Sequence, residues 1–234
     1  MSEEKGYSEI SVRRRQDYWL CFGLIALILV VDQVVKIWVK THMQIGEEFN
    51  LIGEWCRIHF IENEGMAFGM SFGGKAGKLF LSLFRVVASM GMMWLLLAMI
   101  RRGAKRIQLV CLSLIFVGAV GNLVDSCFYG LLFNESYYQV ATFCPKGGGY
   151  APFLFGHVVD MFYFPIIDTT WPLWVPFVGG RPFHFFSAIF NVADSAITIG
   201  VILFLVDQLF FGGKGKKDEM KAETVHAIVE KVNA

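Results

Sequence analysis

Asp160 and Asp194 are acidic residues in apolar company. Asp160 lies in GHVVDMFYFP, between Val159 and Met161, and Asp194 lies in FNVADSAITIGVILFLV. Apolar surroundings disfavour a charged carboxylate, and a second carboxyl nearby raises one of the two further, because like charges resist joint ionisation. Carboxyls set up like this can share one proton. One then activates a water as general base while the other, protonated, polarises a carbonyl. An ionised Asp at the centre of a membrane helix costs roughly 3 kcal/mol on insertion scales. Interhelical glue is made more cheaply from Asn or Ser. The costlier residue points to function.

Other polar residues stand near these two in the pattern. Ser187, Asn191, Asp194, Ser195 and Thr198 follow helical offsets, so one face of a helix over 185–211 would carry them towards other helices or a wet cavity. Asp194 would lie about 14 Å along that helix from Phe185. Asp32 precedes Lys36 by one helical turn, the favourable order for an ion pair. Asn122, Asp125 and Ser126 end another apolar block.

Other chemistries fit less well. His157 and His184 could be imagined with Asp160 and Asp194 around zinc, but the chain has no HExxH, and a metal site needs three or four ligands held together. His157 reads more simply as a hydrogen-bonded loop residue. A serine nucleophile would need a paired base in a strand–turn–helix GxSxG or an SxxK context, and that reading is discounted. No metal and no cofactor is expected. Of the five cysteines, Cys21 and Cys111 lie in apolar blocks, and Cys56 and Cys144 fall in loops. An oxidising compartment would admit a disulfide between the last two.

The elements that must position these residues are membrane spans. The chain has 234 residues, 55% hydrophobic and 18% charged, below the roughly 25% charged of soluble domains. Its apolar residues collect in four blocks, over about 20–39, 79–100, 107–129 and 185–211. Each is long enough for the ~20 residues of helix that cross a bilayer. The first is too long for a cleavable h-region and ends on lysines, so it is expected to stay as an anchor. Arg13, Arg14 and Arg15 precede it, RRGAKR joins the second and third blocks, and Lys214, Lys216, Lys217 and Lys221 follow the fourth. By the positive-inside rule both termini, 1–18 and 212–234, and that loop are cytoplasmic, with the two long loops outside.

In the first outer loop, FNLI and CRIHFI suggest short strands around a turn at Gly53 and Glu54. Trp171 and Trp174 in the second suggest a segment at headgroup level. In the tail, Val225, Ile228, Val229 and Val232 have the spacing of a short surface helix. The expected fold is an all-α membrane protein: four transmembrane helices in one domain over 1–234, a small outer-surface β element and an extended second outer loop.

Five stretches together resemble the lipoprotein signal peptidase (signal peptidase II) family. They are DQVVK at 32–36, NEGMAFG at 63–69, GNLVD at 121–125, VVDMF at 158–162 and FNVADSAI at 190–197. The resemblance implies a bacterial inner-membrane aspartic protease, with its active site near the outer face. Such enzymes cleave prolipoproteins before a diacylglyceryl-modified cysteine and are inhibited by globomycin. It implies Asp160 and Asp194 as the catalytic pair, with Asn63, Asn122 and Asn191 around them and Asp32, Lys36 and Asp125 in supporting motifs. Expected partners are diacylglyceryl-prolipoprotein substrates and membrane lipid, with no nucleic acid.

Two features depart from the family pattern. Asp125 is followed by Ser126 where an arginine is usual, so Arg85 or Arg181 would have to substitute. The segment from Asp125 to Asp160 is also unusually long and contains FNESYYQVATFCPKGGGYAPF. A proton-coupled transporter is the rival reading, since intramembrane Asp residues mark ion pathways. It gives the Asp160 motif no natural role. A non-catalytic membrane scaffold would have no need of buried carboxyls.

Overall fold

The computed structural model describes residues 2–63, 74–186 and 188–210. Most of NEGMAFG (64–69) and the tail with its valine and isoleucine spacing lie outside the described residues. Four helices among the described residues are long and apolar enough to cross a membrane. They are α1 (Ser2–His42), α2 (Gly74–Arg101), α3 (Arg106–Val124) and α4 (Val192–Phe210). Half of the apolar stretch of the third span is buried inside the protein, against 17–22% for the other three. The third span is therefore the axis, and the others turn most of their apolar surface outward, as a lipid solvent permits.

Local chemistry sets the helix ends. After α2, Gly103 adopts a left-handed φ of 69°, and the Ala104 N–H donates to the Met99 carbonyl at 3.1 Å. Glycine closes helices this way because it lacks a Cβ. At the other end of the third span, Asp125–Tyr129 forms a π-helical turn and the helix runs on to Leu132. Such a turn leaves carbonyls for other partners, and the Ser126 carbonyl accepts from the Gly156 N–H at 2.9 Å.

A four-stranded sheet accompanies the helices, in the order β1 (Glu48–Ile52), β2 (Cys56–Asn63), β3 (Val158–Tyr163) and β6 (Ile189–Phe190). All its pairings are antiparallel. The two strands expected in the first loop form and turn at 53–55. The sheet is larger than expected because it recruits β3 from the second loop and β6 from the segment just before α4. A separate hairpin pairs β4 (Ile167–Thr170) with β5 (Pro182–Phe185). Beyond β4 it carries Leu173, Trp174 and Phe177, each more than 80% exposed.

The helix expected over 185–211 starts instead at Val192. Ile189 and Phe190 pair with Tyr163 and Phe162, so their backbone groups are taken by β3, and Asn191 then caps the helix. The spans at 20–39 and 79–100 extend to Ser2–His42 and Gly74–Arg101, where polar flanks continue the helix beyond the apolar block.

Two apolar cores result. One joins Cys21, Ile25, Leu96, Leu109, Phe116 and Ala196 among the spans. The other joins Val39, Ile58, Phe60, Tyr129, Phe133 and Met161 behind the sheet. The third and fourth spans approach closely at Gly118, where a Cβ would strike the Ala193 carbonyl and the Ile197 side chain. Cys56 is buried, Cys144 is exposed, and both are free thiols.

Candidate active site

Strand pairing and a helix cap bring Asp160 and Asp194 to a shared neighbour. Asp160 is 3% exposed in the middle of β3, across from Ile61 of β2. On the other side of β3, β6 leads directly into Asn191. Asn191 caps α4 reciprocally: the Asp194 N–H donates to Asn191 Oδ1 at 2.9 Å, and the Asn191 N–H donates to Asp194 Oδ2 at 3.3 Å. This is a capping box, in which two unpaired N–H groups at a helix start satisfy each other's side chains. The Asn191 amide also donates to Asp160 Oδ1 at 2.7 Å. One buried asparagine thus touches both carboxyls.

Two further asparagines complete the ring. Asn122 of α3 donates to Asp194 Oδ1 at 2.8 Å, and Asn63 of β2 lies 3.5 Å from Asp160 Oδ2. Burial pushes the Asp160 carboxyl up to about 7, and the Asp194 charge adds to the effect. The Lys36 ammonium and then the amides of Asn191 and Asn63 oppose this only in part.

Asp194 therefore occupies the first turn of α4 and not the depth of a lipid-facing helix. The polar stripe expected on that helix is also revised. Ser195 and Thr198 donate back to the carbonyls of Asn191 and Asp194, each at 2.9 Å, the local bond that hydroxyls one turn apart readily make. Only Asn191 and Asp194 of that stripe reach the pair. Ser187 lies outside the described residues.

Behind the pair is a buried charged frame. Lys36 of α1 lies 3.0 Å from Asp32 and 2.8 Å from Asp125, and donates to Asn122 Oδ1 at 2.9 Å. Asp32 accepts the Ala193 N–H of α4 at 2.9 Å, next to a helix end that favours negative charge. Gly121 has no Cβ to obstruct this contact, since one would stand 2.8 Å from Asp32 Oδ2. Asp125 accepts the Val159 N–H at 3.3 Å and so grips β3. The first and third spans are thereby tied to the two elements that carry the carboxyls.

Gln33 was not among the expected site residues. It donates to both Asp32 and Asp125 at 3.0 Å and receives the Tyr129 hydroxyl at 3.2 Å. Its place beside Asp32 in DQVVK was the available signal. Arg85 of α2 reaches Ser126 at 3.4 Å, whereas Arg181 lies on the β4–β5 hairpin. His157 goes to Glu62 at 3.2 Å, as a loop residue rather than a ligand. Among the described residues no group of three or more His, Cys, Asp or Glu is arranged to hold a metal.

Residues 24–210 match the family model described as signal peptidase (SPase) II. The chain belongs to the signal peptidase II family. The lipoprotein signal peptidase of Porphyromonas gingivalis is 52% identical over 185 residues, covering 79% of this chain and 80% of that one. The lipoprotein signal peptidase of Amoebophilus asiaticus is 34% identical over 193 residues, covering 81% and 78%. Among solved structures, a bacterial membrane enzyme determined in meso at 1.9 Å is 24% identical and covers 82% of this chain and 94% of its own, with a TM-score of 0.53. That likeness concerns the fold. Membership of the signal peptidase II family makes the chain a membrane-spanning peptidase, concerned with removing signal peptides from lipoproteins.

Proposed function

We propose that this member of the signal peptidase II family cleaves diacylglyceryl-modified prolipoproteins just before the lipidated cysteine, using Asp160 and Asp194 as an aspartic pair. The observation that carries the reading is Asn191, whose side-chain amide meets Asp160 and whose backbone N–H meets Asp194. With one proton held between them, the ionised member takes a proton from a water whose oxygen adds to the scissile carbonyl carbon. The protonated member gives its proton to the carbonyl oxygen. The tetrahedral diol then collapses, the C–N bond breaks, and a proton passes to the departing cysteine nitrogen. Peptide plus water becomes a carboxyl end and a free amine. An Asp160 carboxyl at about 7 supports retention of that one proton near neutrality.

Asn63, Asn122 and Asn191 orient the carboxyls, while Asp32, Lys36 and Asp125 hold the frame. Arg85 supplies the positive charge that Ser126 does not. The whole chain, 1–234, acts as one unit in the bacterial inner membrane with both termini cytoplasmic. The sheet and the pair then lie at the outer face, where two acyl chains would hold the substrate's scissile bond. Globomycin would occupy the same site. Family membership does not favour the transporter reading.

Incubating the purified protein with a diacylated prolipoprotein tests this. We expect release of the signal peptide, a mature chain beginning at the lipidated cysteine, loss of cleavage with globomycin and indifference to chelators. Equal cleavage of the unlipidated precursor would overturn the substrate assignment.

A further inference from the structure

A second buried polar cluster lies on the reverse of the sheet from the carboxyl pair. Strand residues alternate faces. Asn63 and Asp160 are turned to the site, and Phe60, Glu62, Val159 and Met161 belong to the opposite face. Three of these pack in the core behind the sheet. The fourth, Glu62, is an acid with its side chain 2% exposed.

Every neighbour of Glu62 in this cluster comes from another element. Lys40, one turn beyond Lys36 on α1 and fully buried, pairs with Glu62 Oε1. Lys40 also donates to Ser136 Oγ, and Ser136 donates to Glu62 Oε1, both at 2.8 Å. His157 Nδ1 approaches Glu62 Oε2 at 3.2 Å, and the His157 N–H donates to the Tyr150 hydroxyl at 2.6 Å. The Lys40 ammonium lies 5.1 Å from the Tyr150 ring centroid and 5.4 Å from that of Phe133, within cation–π range. Burial opposes ionisation of Glu62, but its bonds from His157, Lys40 and Ser136 hold it at about 2.

Ser136, Tyr150 and His157 all belong to the long segment between the third span and β3. Its middle is tied to the third span, through the Cys144 N–H to the Leu132 carbonyl at 2.7 Å and the Ala151 N–H to the Gly130 carbonyl at 2.9 Å. The cluster stands back to back with the site: Glu62 precedes Asn63 and faces Val159, the residue before Asp160.

We propose that Lys40, Glu62, Ser136 and His157 form a clamp that fixes segment 133–157 as a backing plate behind the sheet and so positions Asn63 and Asp160 for cleavage. Lys40 and Glu62 are positioning residues, since neither reaches the reacting atoms. The catalytic consequence rests on the reading of Asp160 as half of the pair; the docking of 133–157 does not.

Two readouts separate these parts. In Glu62→Gln, hydrogen exchange should accelerate in 133–157 and in β2 and β3, with the spans unchanged. The kcat for a diacylated prolipoprotein should fall roughly 10-fold, the scale expected of a small misplacement, with KM within about 2-fold. A single change leaves Lys40 buried without its acid and can prevent folding. The double variant Lys40→Met with Glu62→Leu removes both charges, and should accumulate in the membrane while keeping the low kcat. Restoration of full kcat in the double variant would reduce the pair to fold maintenance and overturn the positioning role. Unchanged exchange in 133–157 in both variants would overturn the clamp itself. If the unaltered protein cleaves nothing, the proposed function fails, while the exchange result still decides the docking.

Discussion

Asp160 and Glu62 are buried carboxyls on adjacent strands, on opposite faces of one sheet, and their environments pull them in opposite directions. Asp160 has amides and a second carboxyl around it and is pushed up to about 7. Glu62 has a lysine, a histidine and a serine and is held at about 2. Burial alone therefore does not mark a catalytic acid. What distinguishes the two is whether a positive charge bonds to the carboxyl directly, as Lys40 does to Glu62, or acts from the frame behind it, as Lys36 does on Asp160. Where the cation bonds directly, the carboxylate is settled and structural; where burial and a second carboxyl outweigh it, the group is left able to exchange a proton near neutral pH.

The largest expected effect comes from removing the poised face. Asp160→Asn or Asp194→Asn should lower prolipoprotein cleavage by roughly 10³-fold or more, on the scale of losing a general acid or base, while the protein accumulates normally in the membrane. Substantial residual cleavage in either variant would break the contrast, because Asp160 would then be no more catalytic than Glu62.

Next comes the cation that holds the frame. Lys36→Met leaves Asp32 and Asp125 buried without the ammonium that lies 3.0 Å and 2.8 Å away. Breaking a buried charge group from one side costs about 3–5 kcal/mol. We expect poor accumulation and a lowered midpoint of thermal unfolding in detergent. An unchanged midpoint would mean that the frame does not need its positive charge.

These contrasts were unevenly legible in the sequence. The four spans are runs of apolar residues and could be read from hydropathy, as could the strands of the first loop. Asp160 and Asp194 stood out because carboxyls are costly in such runs. The start of α4 was not legible: FSAIFN is as apolar as the helix after it, and only pairing with β3, a long-range contact, makes Ile189 and Phe190 a strand. Glu62 and Ser136 were invisible for a related reason. Each is an ordinary polar residue in a loop-like stretch, and their burial depends on a fold that brings them to Lys40. Lys40 carried a trace of signal, because Asp32, Lys36 and Lys40 repeat one helical turn apart on α1.

The last expected effect tests the contrast through pH. A native carboxyl raised from 3.8 to about 7 binds more protons than its unfolded counterpart between those values, so its contribution makes stability fall as pH rises through that window. Replacing it removes that penalty. Asp160→Asn should therefore be inactive yet unfold at a higher temperature than the unaltered protein at pH 8, with little difference at pH 4. Glu62 has the opposite sign, since lowering from 4.5 to about 2 gives stability that is present above 4.5 and lost as pH falls through 2. Glu62→Gln should therefore lower the midpoint at pH 8. At about 1.4 kcal/mol per pKa unit, each effect is on the order of a few kcal/mol. Thermal unfolding of both variants across pH 4 to 8 measures the two signs together. Shifts in the same direction at pH 8 would show that the two faces are held alike, and the division of the sheet into a poised side and a settled side would fall.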